Sequence, residues 1–398
     1  MSLRRVLAIL AAVVVVLAVF VGGVIVGGHA EATGLTRLSD PLRGILLGDS
    51  GEDLPSQVLD TLRDEYYEPI DEEKLQRSSA DAIVEALGDP YTDYLDPDEL
   101  EALRQRNDGA YFGVGLQVAS RDGVTVVTRV FEGGPAEKAG VEVGDRIVSV
   151  EGEATKGKTL EQVVSTIRGP EGTEVTIGVA TGDDPERSLT LERARIRVPA
   201  VESRVEKARG EAIGYMKLSA FTRGSADAVR EAVTSLRERD VTGLVLDLRG
   251  DPGGLVNEAV GVSGVFLPDD TEVVVTEGLH SPRNVFRTDD QPAAGDLPLV
   301  VLVDRNSASA SEIVAGALRD ADRGTLVGER TFGKALVQST VPLRDGGALK
   351  LTTARYLTPS GFDLAKRGLP PDVKIVDDPE TQTDEALRRA VTLAAAEG

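Results

Sequence analysis

Apolar and polar positions divide the chain into stretches of different period. Residues 6–28, VLAILAAVVVVLAVFVGGVIVGG, form an unbroken apolar and glycine run, matching the ~20 residues that cross a bilayer as a helix. Arg4 and Arg5 precede it and acidic sequence follows, which predicts a cytoplasmic tail at 1–5 and the rest of the chain outside. Ala30-Glu31-Ala32 resembles a signal-peptidase site, yet the run exceeds the roughly 7–15 apolar residues of a signal peptide. An uncleaved anchor is therefore expected, followed by a linker over 29–50. Helical spacing dominates 51–109: Val58, Leu62 and Tyr66 recur every four residues, and Ala82, Val84 and Leu87 lead to the stop Gly88-Asp89-Pro90. This region reads as a helical platform without chemistry.

Over 110–198 the pattern changes to short strands with glycine turns: FGVGLQVA, GVTVVTRV, GGPAEKAGVEVGDRIVSVEG and EVTIGVA. The one helix here, TLEQVVSTIR, aligns Leu160, Val163, Val164 and Ile167 on one face, with Thr159 and Gln162 as a capping box.

From 199 to 376 strands and helices alternate. IGYMKLSAF is a strand, and Ser225–Arg237 a helix with Val229, Ala232, Val233 and Leu236 on one face. GLVLDLRGDPGG takes a buried strand, Leu244–Leu248, into the turn Pro252-Gly253-Gly254. Leu299–Val303, Ser309–Asp320 and Thr325–Gly328 repeat the strand–helix–strand order, which predicts parallel crossover units. VPLRDGGALKLTTARY is a strand pair turning at Asp345-Gly346-Gly347. The last segment, 377–398, holds a helix over Thr383–Ala396 with Ala386, Leu387, Ala390 and Leu393 on one side.

Composition narrows the chemistry. Aromatics are only 4% of the 398 residues, so the cores must be built from Val, Leu, Ile and Ala. A formal charge of −22 argues against nucleic acid as a partner, because phosphate binding needs a basic face. With no cysteine there are no disulfides, thiolate nucleophiles or thiolate metal sites. His29 lies in the membrane-proximal stretch and His280 in a polar loop, so a histidine metal cluster is excluded. No metal or cofactor is expected.

Three serines, Ser307, Ser309 and Ser311, stand where the strand Leu299–Val303 gives way to a helix, a favoured place for active residues in an open α/β sheet. A serine nucleophile needs a base. With His280 isolated, lysine is the alternative, as in Ser-Lys variants of the catalytic triad. Lys334 follows 25 positions after Ser309, in the apolar setting TFGKALV with one aromatic, and burial there favours its neutral form. Gln338 stands four residues further on. A helical turn would bring its amide to the lysine amine, whereas an extended strand would separate them by about 13 Å. Spacing alone favours a plainer role for Ser309, because Ser309 and Glu312 fit the S-x-x-E capping box.

Two family resemblances add to this. Gly113-Val114-Gly115-Leu116, Pro135-Ala136-x-x-Ala139-Gly140 and Gly144-Asp145-Arg146-Ile147, in that order, resemble a PDZ domain. That implies an α+β, partly open barrel that captures peptide C-termini, with the loop N–H groups of Gly113 to Leu116 around the carboxylate. Arg168, just after the helix, reads first as a charge interacting with the helix dipole; in related processing proteases an arginine here helps sense the bound peptide.

The second resemblance rests on Asp247-Leu248-Arg249-x-x-Pro252-Gly253-Gly254, Ser307-Ala308-Ser309-Ala310-Ser311-Glu312, Gly328-Glu329-x-Thr331-Phe332-Gly333-Lys334 and Val337-Gln338. With Leu87-Gly88-Asp89-Pro90-Tyr91 and Leu351 to Tyr356, these resemble the carboxyl-terminal processing peptidases, tail-specific serine proteases of family S41. The resemblance implies a crotonase- or Clp-protease-like α/β core with the PDZ domain inserted. It makes Ser309 the nucleophile, Lys334 the base and Gln338 the orienting amide. It puts the oxyanion hole at the N–H groups of Ala310 and of Gly253, with Gly254 the fallback. Asp320 matches an aspartate that supports the core in some members; a helix-end charge competes. Ala335 replaces the usual glycine after the lysine, and Gly361-Phe362-Asp363-Leu364 departs from the more polar usual sequence.

The expectation is a single-pass protein of a bacterial cell membrane, its extracytoplasmic part cleaving polypeptides that display C-terminal tails. A homo-oligomer is compatible with it. The alternative is a membrane-tethered PDZ scaffold whose protease-like domain is inactive.

Overall fold

The computed structural model describes residues 72–182, 184–377, 381 and 383–397. The expected anchor at 6–28, the linker and the helical spacing at Val58, Leu62 and Tyr66 lie outside these residues; among those described, no helix is long and apolar enough to cross a membrane. The chain divides into two units, 1–86 and 87–398. In the first, helix Glu72–Glu85 is described. The second carries every sheet among the described residues.

Six strands form the central sheet. Val201–Ala208 pairs antiparallel with Glu211–Leu218, and then Gly243–Asp247, Leu299–Val303, Thr325–Gly328 and Val373–Lys374 add in parallel. The continuous apolar runs follow from burial on both faces. Met216, Leu218, Leu244, Leu246, Val301 and Val303 point to one core, shared with helices Ser225–Arg237, Val256–Gly264 and Ala310–Asp320. The alternate residues Ile213, Tyr215, Val245, Val300, Leu302 and Val327 point to the other. There Ala386, Ala390, Val391 and Ala394 of helix Glu385–Glu397 cover them, as the spacing of its small residues predicts.

A second sheet lies alongside in the order Asp93–Leu95, Ala348–Leu357, Glu272–Glu277, Asn284–Arg287, with Leu336–Pro342 also paired to Ala348–Leu357. The expected hairpin turn is present, Gly346 adopting φ 88° and the Gly347 N–H donating to Asp345 Oδ1 at 3.0 Å. The region read as helical platform thus also supplies a strand to this sheet, Asp93–Leu95, before helix Pro97–Asn107.

In sequence, an antiparallel sheet comes between that helix and the central sheet, formed by Leu116–Arg121, Val124–Val130, Arg146–Val150, Glu174–Ala180 and Arg187–Glu192. Helix Leu160–Ile167 closes it, burying Val163 and Ile167. Its capping box forms as predicted: the Gln162 N–H donates to Thr159 Oγ1 at 3.3 Å and the Thr159 N–H to Gln162 Oε1 at 2.9 Å. Strands Ala110–Gly113 and Ala194–Arg197 pair at the neck of this insertion.

Candidate active site

Strand Leu299–Val303 ends at Asp304, whose carboxylate accepts the N–H groups of Gly250, Asn306 and Ser307, each at 3.0 Å. The turn delivers the three serines to different fates. Ser307 and Ser311 are fully buried, their hydroxyls donating to the carbonyls of Leu248 (2.8 Å) and Asp251 (3.0 Å). Ser309 alone of the three is partly exposed. It stands at the N-terminus of helix Ala310–Asp320 with φ 55° and ψ −114°. A left-handed φ on a residue with a Cβ costs on the order of 1–3 kcal/mol and must be held by its surroundings.

Glu312 does the holding. It is fully buried, and its Oε2 accepts the N–H of Ser309 at 3.0 Å and that of Lys334 at 2.9 Å. Its Oε1 accepts the Gly333 N–H at 2.7 Å and the Thr331 hydroxyl at 2.5 Å. These four donors, with the Tyr356 hydroxyl 3.4 Å from Oε2 as a fifth, satisfy a carboxylate that would otherwise be costly to bury. The S-x-x-E spacing is thus more than a helix cap: its glutamate joins the segments that carry Ser309 and Lys334. The buried Tyr356 hydroxyl donates to the Lys334 carbonyl and reaches the Ser309 carbonyl at 3.1 Å.

Lys334 is half-buried. Burial lowers its proton affinity, and the Lys350 ammonium adds to this; Asp89 and Glu312 oppose it. The aromatic beside the amine is not the expected neighbour. Phe332 turns outward, 55% exposed, and the ring under Nζ is that of Tyr91, 4.9 Å from its centroid. Tyr91 and Asp89, from the region read as chemically silent, therefore line the site. The Asp89 carboxylate accepts the Thr92 hydroxyl at 2.7 Å and the Tyr91 N–H at 3.0 Å, which fixes that turn. The Asp89-Pro90-Tyr91 sequence signalled a turn; its partner in space was not readable from it.

Gln338 lies in strand Leu336–Pro342 at a register shift between Val337 and Gln338, so no helical turn links it to Lys334. Its Nε2 is buried without a hydrogen-bond partner. Among the described residues no hydrogen bond joins Gln338 to Lys334, or the Ser309 hydroxyl to the Lys334 amine.

Gly253 packs directly on the loop that carries Ser309. A Cβ built there would stand 2.7 Å from Ser309 Cβ and 2.8 Å from the Ala310 nitrogen, and φ is 96°, so only glycine fits. Its N–H, the first choice for the oxyanion hole, donates here to Asp251 Oδ1 at 2.8 Å. The Gly254 and Ala310 N–H groups make no hydrogen bond among the described residues. Asp320 lies away from these groups, at the far end of the helix, accepting the Ser360 N–H at 2.9 Å.

In the inserted domain, Gly113, Val114, Leu116 and Arg168 line a cleft of about 310 Å³ together with Tyr111 and Phe131. Gly115 adopts φ 83°, and a Cβ there would stand 3.2 Å from the Gly134 Cα. Arg168 stacks on Tyr111, 5.0 Å from the ring centroid.

A doubly covered α/β sheet with a serine at a helix N-terminus, and a peptide-binding type of domain inserted before it, defines a PDZ-bearing serine peptidase fold. Residues 212–375 match the model of peptidase family S41 and 126–181 that of a PDZ domain. The solved photosystem II D1 C-terminal processing protease is 34% identical, with a TM-score of 0.51, over 84% of this chain and 90% of that one. A probable CtpA-like serine protease of Staphylococcus aureus (strain COL) is 35% identical over 82% of this chain. Another, of Staphylococcus haemolyticus (strain JCSC1435), is 34% identical over 79%. The chain belongs to peptidase family S41. It spans 65% and 63% of the length of those two staphylococcal relatives.

Proposed function

We propose that the protein is a serine endopeptidase that captures polypeptide C-termini in its PDZ domain and cleaves the adjoining chain at Ser309. The observation that carries this reading is the shared anchorage of Ser309 and Lys334 on Glu312, with Ser309 the one accessible serine of three.

The neutral Lys334 amine takes the Ser309 proton as Oγ bonds to the scissile carbonyl carbon. The carbonyl oxygen becomes an oxyanion. The Ala310 N–H, at the positive end of its helix, stabilises it, with Gly254 as second donor because the Gly253 N–H is already engaged. Lys334 returns the proton to the leaving amine, and water, deprotonated by Lys334, then releases the acyl group. For Lys334 to be neutral near pH 7 its pKa must fall by roughly three units, about 4 kcal/mol against the ammonium. Burial supplies the direction. Gln338 orients the amine once peptide draws the two together; its unpartnered amide supports this. The apolar run at 6–28 anchors the protein, with the catalytic part outside the cytoplasm.

The purified protein is to be given an unfolded polypeptide ending in an apolar tail. Cleavage is expected, with Ser309→Ala and Lys334→Ala each lowering turnover by ~10⁴-fold while tail binding persists. Retained turnover in either variant defeats the mechanism. Binding without cleavage in the wild type makes the chain a scaffold instead.

A further inference from the structure

Asp251 is a buried acid that takes no part in the proton transfers between Ser309 and Lys334. Its side chain is fully buried. Oδ1 accepts the Gly253 N–H at 2.8 Å, while Oδ2 has no hydrogen-bond partner. Its own carbonyl accepts the Ala308 N–H at 3.1 Å and the Ser311 hydroxyl at 3.0 Å. One residue thus ties the Pro252-Gly253-Gly254 turn to both sides of Ser309.

The charged groups around it are committed elsewhere. Glu312 is used by Ser309, Thr331, Gly333 and Lys334. Asp304 holds Gly250 and Ser307, and Arg249 is turned to Asp247 and Asp384. No cation pairs with Asp251 among the described residues. A carboxylate in this position has no counter-ion and one oxygen without a donor, which burial penalises heavily. Burial accordingly pushes its pKa up to about 7, against the Gly253 N–H and Ser311, which favour the anion.

We propose that Asp251 is a positioning residue that, as a neutral acid, fastens the oxyanion turn against Ser309, and whose ionisation turns the site off. Two effects act in the same direction. The anion would place a negative charge close to the donors at Gly254 and Ala310, where the oxyanion develops, and like charges repel in a poorly solvated site. It would also leave a charged Oδ2 without a donor, which draws water in beside the turn even as the Gly253 N–H contact strengthens. The site would thus sense pH on its alkaline side, independently of Lys334, which must lose a proton and so sets the acid side.

This rests on Ser309 as the nucleophile, and the test separates the two. The kcat/KM profile of the wild type should fall on the alkaline side, and Asp251→Asn, an uncharged amide that still accepts from Gly253, should move that fall upward by at least ~1 pH unit. Asp251→Ala should lower kcat by ~10-fold or more with KM within ~2-fold, as expected when a donor is misplaced. A second arm needs no activity. In Ser309→Ala protein, an acid whose folded pKa lies above its unfolded value loses stability as pH rises from about 4 to 7. Adding Asp251→Asn should flatten that part of the Tm-against-pH curve. An alkaline limb that stays in place in Asp251→Asn, or superimposable Tm curves, overturns the proposal. Undiminished turnover in Ser309→Ala defeats the peptidase reading instead and leaves the Tm arm to decide whether Asp251 is held neutral.

Discussion

The Lys334 ammonium position lies over the ring of Tyr91, 4.9 Å from its centroid, although the two are far apart in sequence. A ring face stabilises a cation by about 0.5–1 kcal/mol at a partly exposed site, so Tyr91 opposes the burial that lowers the proton affinity of Lys334.

Replacing Tyr91 by Leu should keep the apolar wall and remove the attraction for the ammonium. The Lys334 pKa then falls further, by ~0.4–0.7 units. With the neutral amine as the proposed base, the acid limb of kcat/KM should move to lower pH by that amount. A limb that stays put or moves up means that the ring does not act on the amine.

Glu312→Gln tests the joint between Ser309 and Lys334. An amide has one acceptor oxygen where the carboxylate has two, so its NH2 must face either Ser309 and Lys334 or Thr331 and Gly333, donor against donor. Buried donors left unsatisfied cost about 1–3 kcal/mol each. A loss of ~2 kcal/mol or more in denaturant unfolding is expected, together with a kcat decrease exceeding that of Thr331→Val, which removes one donor and the acceptor of the Leu369 N–H but leaves the carboxylate. Equal effects from the two variants would reduce Glu312 to a packing residue.

Much of the architecture could be read from period alone. The parallel units, the helix Ser225–Arg237, the capping box at Thr159 and the hairpin turning at Gly346 follow from local patterns whose physics is local. What spacing could not decide was which of three serines faces outward, because Ser307 and Ser311 are removed by carbonyls about 60 residues away. Nor could it show Tyr91 under Lys334, or Asp251 taking the Gly253 N–H. The S-x-x-E motif was visible, but its meaning changed: a glutamate placed to cap a helix also holds the loop that carries the lysine. Where several distant segments share one acceptor, sequence names the acceptor and the fold names its donors.

In the PDZ cleft, Arg168 stacks on Tyr111, whose hydroxyl donates to the Leu116 carbonyl at 3.2 Å. If Arg168 senses the peptide carboxylate, Arg168→Ala should weaken binding of a free C-terminal peptide by ~3–10-fold, the size of an exposed charge interaction with lost stacking. The same peptide with an amidated end should bind the two proteins alike. Fluorescence anisotropy reads both, and an equal loss for the two peptides would make Arg168 a packing residue only.

Asp320 is 9% exposed, lies 3.6 Å from Arg319 and accepts the Ser360 N–H at 2.9 Å. That contact ties the end of the nucleophile helix to the loop after Tyr356, the residue whose hydroxyl reaches the Ser309 and Lys334 carbonyls. Its expected contribution is therefore to stability. Asp320→Ala leaves a backbone donor unpaired and should cost about 1 kcal/mol, a Tm decrease of ~2–4 °C, with kcat at low temperature within twofold. Asp320→Asn keeps an acceptor for Ser360 and should recover most of the Tm. A helix-end charge acting only on the dipole predicts the reverse ranking: Asn would be no better than Ala, and removing the negative charge from a helix C-terminus would stabilise slightly. Thermal unfolding of the two variants beside the wild type separates these outcomes. A tenfold loss of kcat in folded Asp320→Asn would instead place the residue in the catalytic machinery.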